Sequence, residues 1–285
     1  MDGQQLLLEP ELRQGIHDDV SEDVYFGLNC LSKSVLGRIK SSPYHVLTSI
    51  GNIHERKLTK ALQFGKNVHS ALLEPGRYRE SVVVGPDVDT KQRVEWKNFV
   101  KENPGKTHLK PSEAAEIQGM MEGILRNETA KNILTGGIRE RTIIAQDPVT
   151  KLFLKGRVDF DQQEDTYLVD FKTTANAEAG EFARSAEKYE YPNQCAWYLF
   201  LYDLLYDLGL VKVKKDTFLV VAQDSEFPFC CSTFIYDSAI LEKAREINRA
   251  RLDRIGECVK AGHFPAYGDD VKTLAVSSWY FERTI

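Results

Sequence analysis

Three features of the sequence predict a mixed α/β fold with a central mixed β-sheet flanked by helices. Apolar patterning runs in the order helices, strands, one strongly apolar helix, strands, helix. Residues 151–160 (KLFLKGRVDF) and 166–172 (TYLVDFK) are apolar, β-rich runs on either side of the polar turn DQQED, as in a β-hairpin. The 285 residues are 42% apolar and 28% charged, enough to bury a sizeable core in one large domain.

The elements follow in order. Residues 1–30 are acidic and weakly patterned and read as a mobile arm, with a single domain carrying helical N-terminal additions over 31–285. LSKSVLGRIKSSP predicts a short helix that starts at Ser32 or Ser34 and stops before Pro43, with a second helix near 44–50. Residues 57–73 are amphipathic, with Leu58, Leu62, Val68 and Leu72 as candidate core positions, and end at Glu74-Pro75-Gly76. SVVVG predicts a short strand, and residues 90–102 and 111–134 predict helices, the latter opening on Pro-Ser-Glu. The β region starts at 138–147 and contains the hairpin. A polar stretch, 173–192, separates it from the apolar helix NQCAWYLFLYDLLYDLG. Strands at 216–223 and 228–236 and a charged helix from Ser238 to Ala261 complete the domain.

Composition narrows the function. No apolar run approaches the length of a membrane span, and the N-terminus lacks the basic start of a signal peptide, so no membrane association and a cytoplasmic location are expected. Cys30, Cys195, Cys230, Cys231 and Cys258 show no CxxC spacing, which disfavours a zinc or iron–sulfur set. The net charge of −5 is unevenly distributed. Residues 1–30 carry seven acids and one arginine, whereas 31–70 carry seven lysines and arginines against Glu55. That basic stretch offers a phosphate-attracting field, with Arg38 and Lys66 as candidate DNA contacts.

The candidate chemistry lies at the end of the hairpin. Alternate strand residues share a face, so Asp170 and Lys172 project together, and Asp159 can meet them from the partner strand. Two carboxylates beside an ammonium suit a divalent metal and an activated water, the chemistry of phosphodiester hydrolysis. Acid-x-Lys also occurs at Glu55, Asp89, Glu95 and Asp270, but only Asp170 follows a strand aspartate in an apolar hairpin. Gln194 and Tyr198 stand four apart, on one face of a helix.

The ordered set Gly65, His69, Asp159, Asp170, Lys172, Gln194 and Tyr198 resembles the RecB/RecE-type branch of the PD-(D/E)XK nuclease superfamily, which includes lambda-type exonucleases and exonuclease VIII. The phrases FGKNVHSALLEP, GRVDF, VDFKTT and LSKSVLGRIKSSPYH carry the likeness, over roughly residues 30–200. The Pro-Asp of the superfamily reads Val158-Asp159 here, and the four cysteines of its iron–sulfur members are missing.

The resemblance implies a restriction-endonuclease-like core and a Mg²⁺-dependent deoxyribonuclease, with Mn²⁺ as a substitute. It implies Asp159, Asp170, the Phe171 carbonyl and His69 around metal, and Lys172 on the attacking water or the developing charge. Gln194 and Tyr198 would position the DNA backbone, and Ser34 would contact a 5′ phosphate. It further implies 5′→3′ digestion of linear double-stranded DNA ends by a ring-shaped homo-oligomer, in recombination or phage DNA processing, beside a single-strand annealing or recombination protein. An endonuclease on the same fold and a catalytically idle DNA-binding protein are the alternatives.

Overall fold

The expected hairpin is the middle of a six-stranded sheet. The computed structural model describes residues 3–51, 60–268 and 270–281. Its N-terminal part holds strand β1 (Gly15–His17) and helices α1 (Glu22–Gly27), α2 (Lys33–Leu36), α3 (Pro43–Ser49), α4 (Lys60–Leu73) and α5 (Pro75–Ser81). Next come β2 (Val82–Val84), α6 (Val94–Glu102), β3 (Thr107–Leu109), α7 (Pro111–Arg126) and α8 (Glu128–Ile133). The sheet region follows with β4 (Ile138–Gln146), β5 (Phe153–Asp161) and β6 (Tyr167–Thr174). Then come α9 (Ala179–Tyr189), α10 (Tyr191–Asp207), β7 (Thr217–Asp224), β8 (Cys231–Ile235) and α11 (Ser238–Ala261).

Strand order is β1-β4-β5-β6-β7-β8. Every neighbouring pair is antiparallel except β6 and β7. That parallel pair needs a crossover, which α9 and α10 supply. β2 and β3 form a separate parallel pair.

The sheet divides two apolar cores. Ile143, Leu154, Val158, Leu168, Val220 and Ala222 pack with Trp197, Leu201 and Leu205 of α10 and Leu252 and Ile255 of α11. Phe160, Val169, Phe171 and Val221 pack with Val68 of α4 and Ile117, Met120 and Ile124 of α7. Side chains alternate along β6 and β7, as the pleat requires. In β5 the alternation switches between Val158, in the first core, and Phe160, in the second. The switch falls on Asp159. At Gly156 a Cβ would stand 2.7 Å from Leu201 and 2.8 Å from Tyr198, so the bare glycine lets α10 lie close against β5.

The structure revises several expectations. Residues 3–30 are fastened to the sheet rather than forming a mobile arm: β1 pairs with β4, and Leu6 is buried in the first core. Buried Lys155 donates to the carbonyls of Tyr25 (2.7 Å) and Leu28 (2.9 Å), and Arg157 donates to that of Val20 at 2.7 Å. The acids Asp18, Asp19, Glu22 and Asp23 remain exposed. A three-residue strand is too short to leave an alternation in sequence.

Leu58 lies outside the described residues; Leu62 is exposed, Leu72 is half-buried, and Leu73 takes the core position beside Val68. The helix predicted at 111–134 is two helices, because the Asn127 side chain accepts from Ala130 N–H and caps α8. α4 ends at Leu73, just before Glu74-Pro75-Gly76 as expected, and Pro75 is also the first residue of α5. The polar stretch 173–192 contains α9, capped by Glu178 and burying Phe182 and Ala186. Among the described residues, no helix is long and apolar enough to cross a membrane.

Candidate active site

Two interruptions in the sheet open the cleft. β5 and β6 pair at Phe160–Val169 and Asp161–Leu168, and the ladder stops before Asp159 and Asp170. There the Asp159 Oδ2 accepts the Phe171 N–H at 2.7 Å, so a side chain stands where a ladder bond would be. On the other side, β4 and β5 keep one register from Ile138–Asp161 to Gln146–Phe153 but skip Glu140, which lies opposite Asp159. Glu140 has φ +51°, the left-handed region. A residue with a Cβ pays about 1–2 kcal/mol there. The local backbone therefore departs from the pleat at both carboxylates.

Asp159 and Asp170 are both buried. The Asp170 Oδ2 lies 2.5 Å from Lys172 Nζ, and its Oδ1 accepts from Gln194 Nε2 at 3.2 Å. The same Gln194 nitrogen lies 3.1 Å from the Tyr198 hydroxyl. Tyr198 itself stacks on Phe218, with ring centroids 5.9 Å apart. One face of α10 thus locks the Asp170 carboxylate from behind.

α4 closes the opposite side. His69 Nδ1 lies 3.9 Å from Asp159 Oδ2, and its ring sits 5.3 Å from that of Phe171. A Cβ on Gly65 would come within 3.2 Å of Thr173 Oγ1, so glycine there lets α4 approach the end of β6. Among the described residues, the ligand atoms of His69, Glu140 and Asp159 all lie within 4.8 Å of one another.

Burial sets the protonation states. It pushes the Asp170 carboxyl up to about 6, against the pull of Lys172 and with the help of Asp159. Asp159 is raised for the same reason, opposed by Lys172 and the Phe171 N–H. Glu140 rises to about 8 through burial and the charge of Asp159. The His69 imidazole falls to about 4 through burial and the Lys172 charge, so it is neutral at pH 7 with a lone pair to offer. For Lys172, burial opposes the charge, but Asp170 and Asp159 outweigh it and hold the ammonium charged. Three carboxylates share one site with two cations, Lys172 and, 3.9 Å from Glu140, Arg157, and burial raises the pKa of all three carboxylates. That is a shortage of positive charge, which a divalent cation would fill. Oxygen donors with one neutral imidazole suit Mg²⁺ or Mn²⁺.

Residues 32–275 match the family described as PDDEXK-like domain of unknown function (DUF3799). The chain belongs to this family. A crystallised protein from Eubacterium rectale, named "Putative exonuclease", shares the fold with a TM-score of 0.57 at 14% identity, over 94% of this chain and 97% of that one. No curated protein matches. The family bears out the PD-(D/E)XK resemblance read from sequence, and the mixed six-stranded sheet bears out the fold class.

Within this PDDEXK-like fold, the structure brings His69, Asp159, Asp170, Lys172, Gln194 and Tyr198 into one cleft. Gln194 donates to Asp170 and to the Tyr198 hydroxyl, so Tyr198 reaches Asp170 only through Gln194. Asp170 spends both oxygens on Lys172 and Gln194 and stands outside the group of three clustered ligand side chains. The other candidate DNA contacts lie on α2, the turn after it, and α4. Ser34 and Arg38 are exposed on α2 and the turn after it, and the Ser34 hydroxyl is 3.0 Å from that of Ser32. Lys66 pairs with Glu22 of α1 at 3.2 Å.

Glu140 is the residue that the sequence reading missed. Its surroundings, IRERTII, read as an ordinary strand, and a single acid on a strand carries no motif. The usable signal was positional, because Glu140 falls opposite Asp159 once the hairpin register is known.

Proposed function

We propose that the chain is a metal-dependent DNA exonuclease that acts 5′→3′ on linear double-stranded ends. The observation that carries the chemistry is the double interruption of the sheet, which gathers Glu140, Asp159, Asp170, Lys172 and His69 in one cleft. Family membership supports a nuclease of the PD-(D/E)XK type, and the name of the Eubacterium rectale protein favours an exonuclease. Polarity and duplex preference rest on the sequence resemblance to lambda-type enzymes and exonuclease VIII, as do a ring-shaped homo-oligomer and a recombination or annealing partner.

Asp159, Asp170, Glu140 and His69 would hold the cation, which supplies a lowered water pKa and charge neutralisation at the phosphate. The protein's own groups do the rest. Lys172 Nζ is a charged donor, fixed 2.5 Å from Asp170, and it stabilises the negative charge that develops on the non-bridging phosphate oxygens. Gln194 and Tyr198 fix the orientation of Asp170, so its carboxylate does not reorganise during reaction. The burial of Asp159 and Asp170 keeps the local dielectric low and strengthens these interactions.

Cleavage of a linear duplex by wild-type protein and by Asp170→Asn tests this reading. The expected result is cleavage that requires Mg²⁺ or Mn²⁺ and is lost in the variant at unchanged melting temperature. Cleavage by Asp170→Asn at the wild-type rate would overturn the assignment.

A further inference from the structure

Beside the carboxylate cleft lies a cluster of opposite sign. Arg251 of α11 makes a two-point contact with Glu190, with Nη1 to Oε2 at 3.0 Å and Nη2 to Oε1 at 2.8 Å. Lys40 Nζ donates to Glu190 Oε1 at 3.1 Å. Lys33 Nζ of α2 lies 3.8 Å from Oε2 and donates to the Tyr189 carbonyl at 3.2 Å. Three segments of the chain, residues 33–40, the α9–α10 corner and α11, therefore bring three cations to one carboxylate.

The cluster is over-supplied with positive charge. Three cations against one anion leave a net charge of +2, and the Lys33 and Arg251 side chains are only 16% and 15% exposed. Withdrawing unneutralised charge from water is costly, and a second anion relieves that cost. Burial pushes Lys33 down to about 8, and Arg251, Lys40 and Lys172 add to the effect against Glu190 alone. Glu190 sits at φ +55° and ψ +46° between α9 and α10. Helix ends of this shape favour glycine or asparagine. A glutamate pays for that backbone and contributes its carboxylate.

Position links the cluster to the cleft. Tyr191, the next residue, holds its ring 5.1 Å from Lys172 Nζ. A strand lying across Lys172 would run toward these cations, where a carboxylate already occupies the anion position.

We propose that Lys33, Lys40 and Arg251 form a phosphate site for a nucleic-acid strand lying in the cleft, and that the Glu190 carboxylate is its resident competitor. The proposal rests on the nucleic-acid reading given above. Glu190 then acts as a positioning residue: it holds the three cations in place when no strand is bound and limits how tightly a phosphate is retained.

Binding in EDTA separates this from cleavage. The probes are a short fluorescent duplex with terminal phosphates and the same duplex without them, titrated over a range of salt concentrations. Inorganic phosphate serves as competitor. Glu190→Gln is expected to bind about tenfold more tightly, since it removes a like charge facing the phosphate. Its log–log salt slope should steepen by about 0.9, the value for one more neutralised phosphate. Lys40→Gln, at a side chain 57% exposed, leaves the fold intact and is expected to weaken binding severalfold. A gain confined to phosphorylated ends would identify a terminal monoester as the ligand; an equal gain on both duplexes would identify an internal diester.

Wild-type affinity in both Glu190→Gln and Lys40→Gln would overturn the proposal and leave Glu190 as a structural ion pair. If Glu190→Gln tightens binding while the wild type cleaves nothing with metal, the nuclease reading fails and the phosphate site stands. If the wild type cleaves but neither variant changes binding, the phosphate site alone fails.

Discussion

Lys172 shows how one residue's role follows from its neighbours. It lies in a buried setting that disfavours an ammonium, yet two aspartates keep it charged. Lys172→Ala removes the lysine in contact with Asp170, and cleavage should fall by about 10²–10³-fold, the cost of losing one charged or oxyanion-type donor. The check is single-turnover cleavage at saturating metal, with melting temperature as the control. Glu140→Gln makes a different prediction. If Glu140 shares the cation with His69 and Asp159, Mn²⁺ affinity measured by calorimetry should drop about 10–100-fold while the fold persists. Unchanged Mn²⁺ affinity would place Glu140 outside the metal site. At this scale the sequence was partly legible. Asp170 and Lys172 announce themselves because a strand puts alternate residues on one face. Glu140 does not, because its place depends on a backbone break at φ +51° that no local pattern records.

The elements set how closely these residues approach one another. α10 reaches the sheet because Gly156 has no side chain, and it thereby brings Gln194 and Tyr198 to Asp170. Gly156→Ala would force atoms to shift around a Cβ 2.7 Å from Leu201, so a loss of about 1–3 kcal/mol in unfolding free energy is expected in denaturant melts. The corner between α9 and α10 carries a pH signature. Arg251 and Lys40 hold the Glu190 carboxyl down to about 2, below the ordinary 4.5. A depressed folded-state pKa stabilises the protein above pH 4.5, and that contribution disappears as pH falls toward 2. The melting-temperature gap between wild type and Glu190→Gln should therefore be full at pH 6–7 and close between about pH 4.5 and 2. A gap that stays constant over that range would contradict the ion-cluster assignment. Long, strongly patterned elements such as α10, α11 and the β5–β6 hairpin were legible in sequence. α9 was hidden by its polar composition, with Phe182 and Ala186 as its buried residues, and β1 by its three-residue length.

Across the whole molecule, a net charge of −5 conceals a polarised cleft. Glu140, Asp159 and Asp170 gather at one end, with Glu22 and Glu74 adding to the field at Glu140. Lys33, Lys40 and Arg251 gather at the other, beyond Lys172. Such an arrangement suits a cation at one pole and a strand phosphate at the other, with overall acidity opposing non-specific attachment. The acidic N-terminal segment, which composition alone assigned to a mobile arm, instead lies fastened along the sheet with α1 at the cleft edge, where Glu22 meets Lys66. Its role became visible only with Lys155 and Arg157, whose partners are backbone carbonyls that a sequence does not display. The most direct test of the whole account is digestion of a linear duplex labelled at either its 5′ or its 3′ ends, with Mg²⁺, Mn²⁺ or EDTA, beside a covalently closed circle. Metal-dependent loss of the linear DNA from its 5′ ends, with the circle left intact, is expected. Nicking of the circle, or no cleavage of either substrate with metal present, would contradict it.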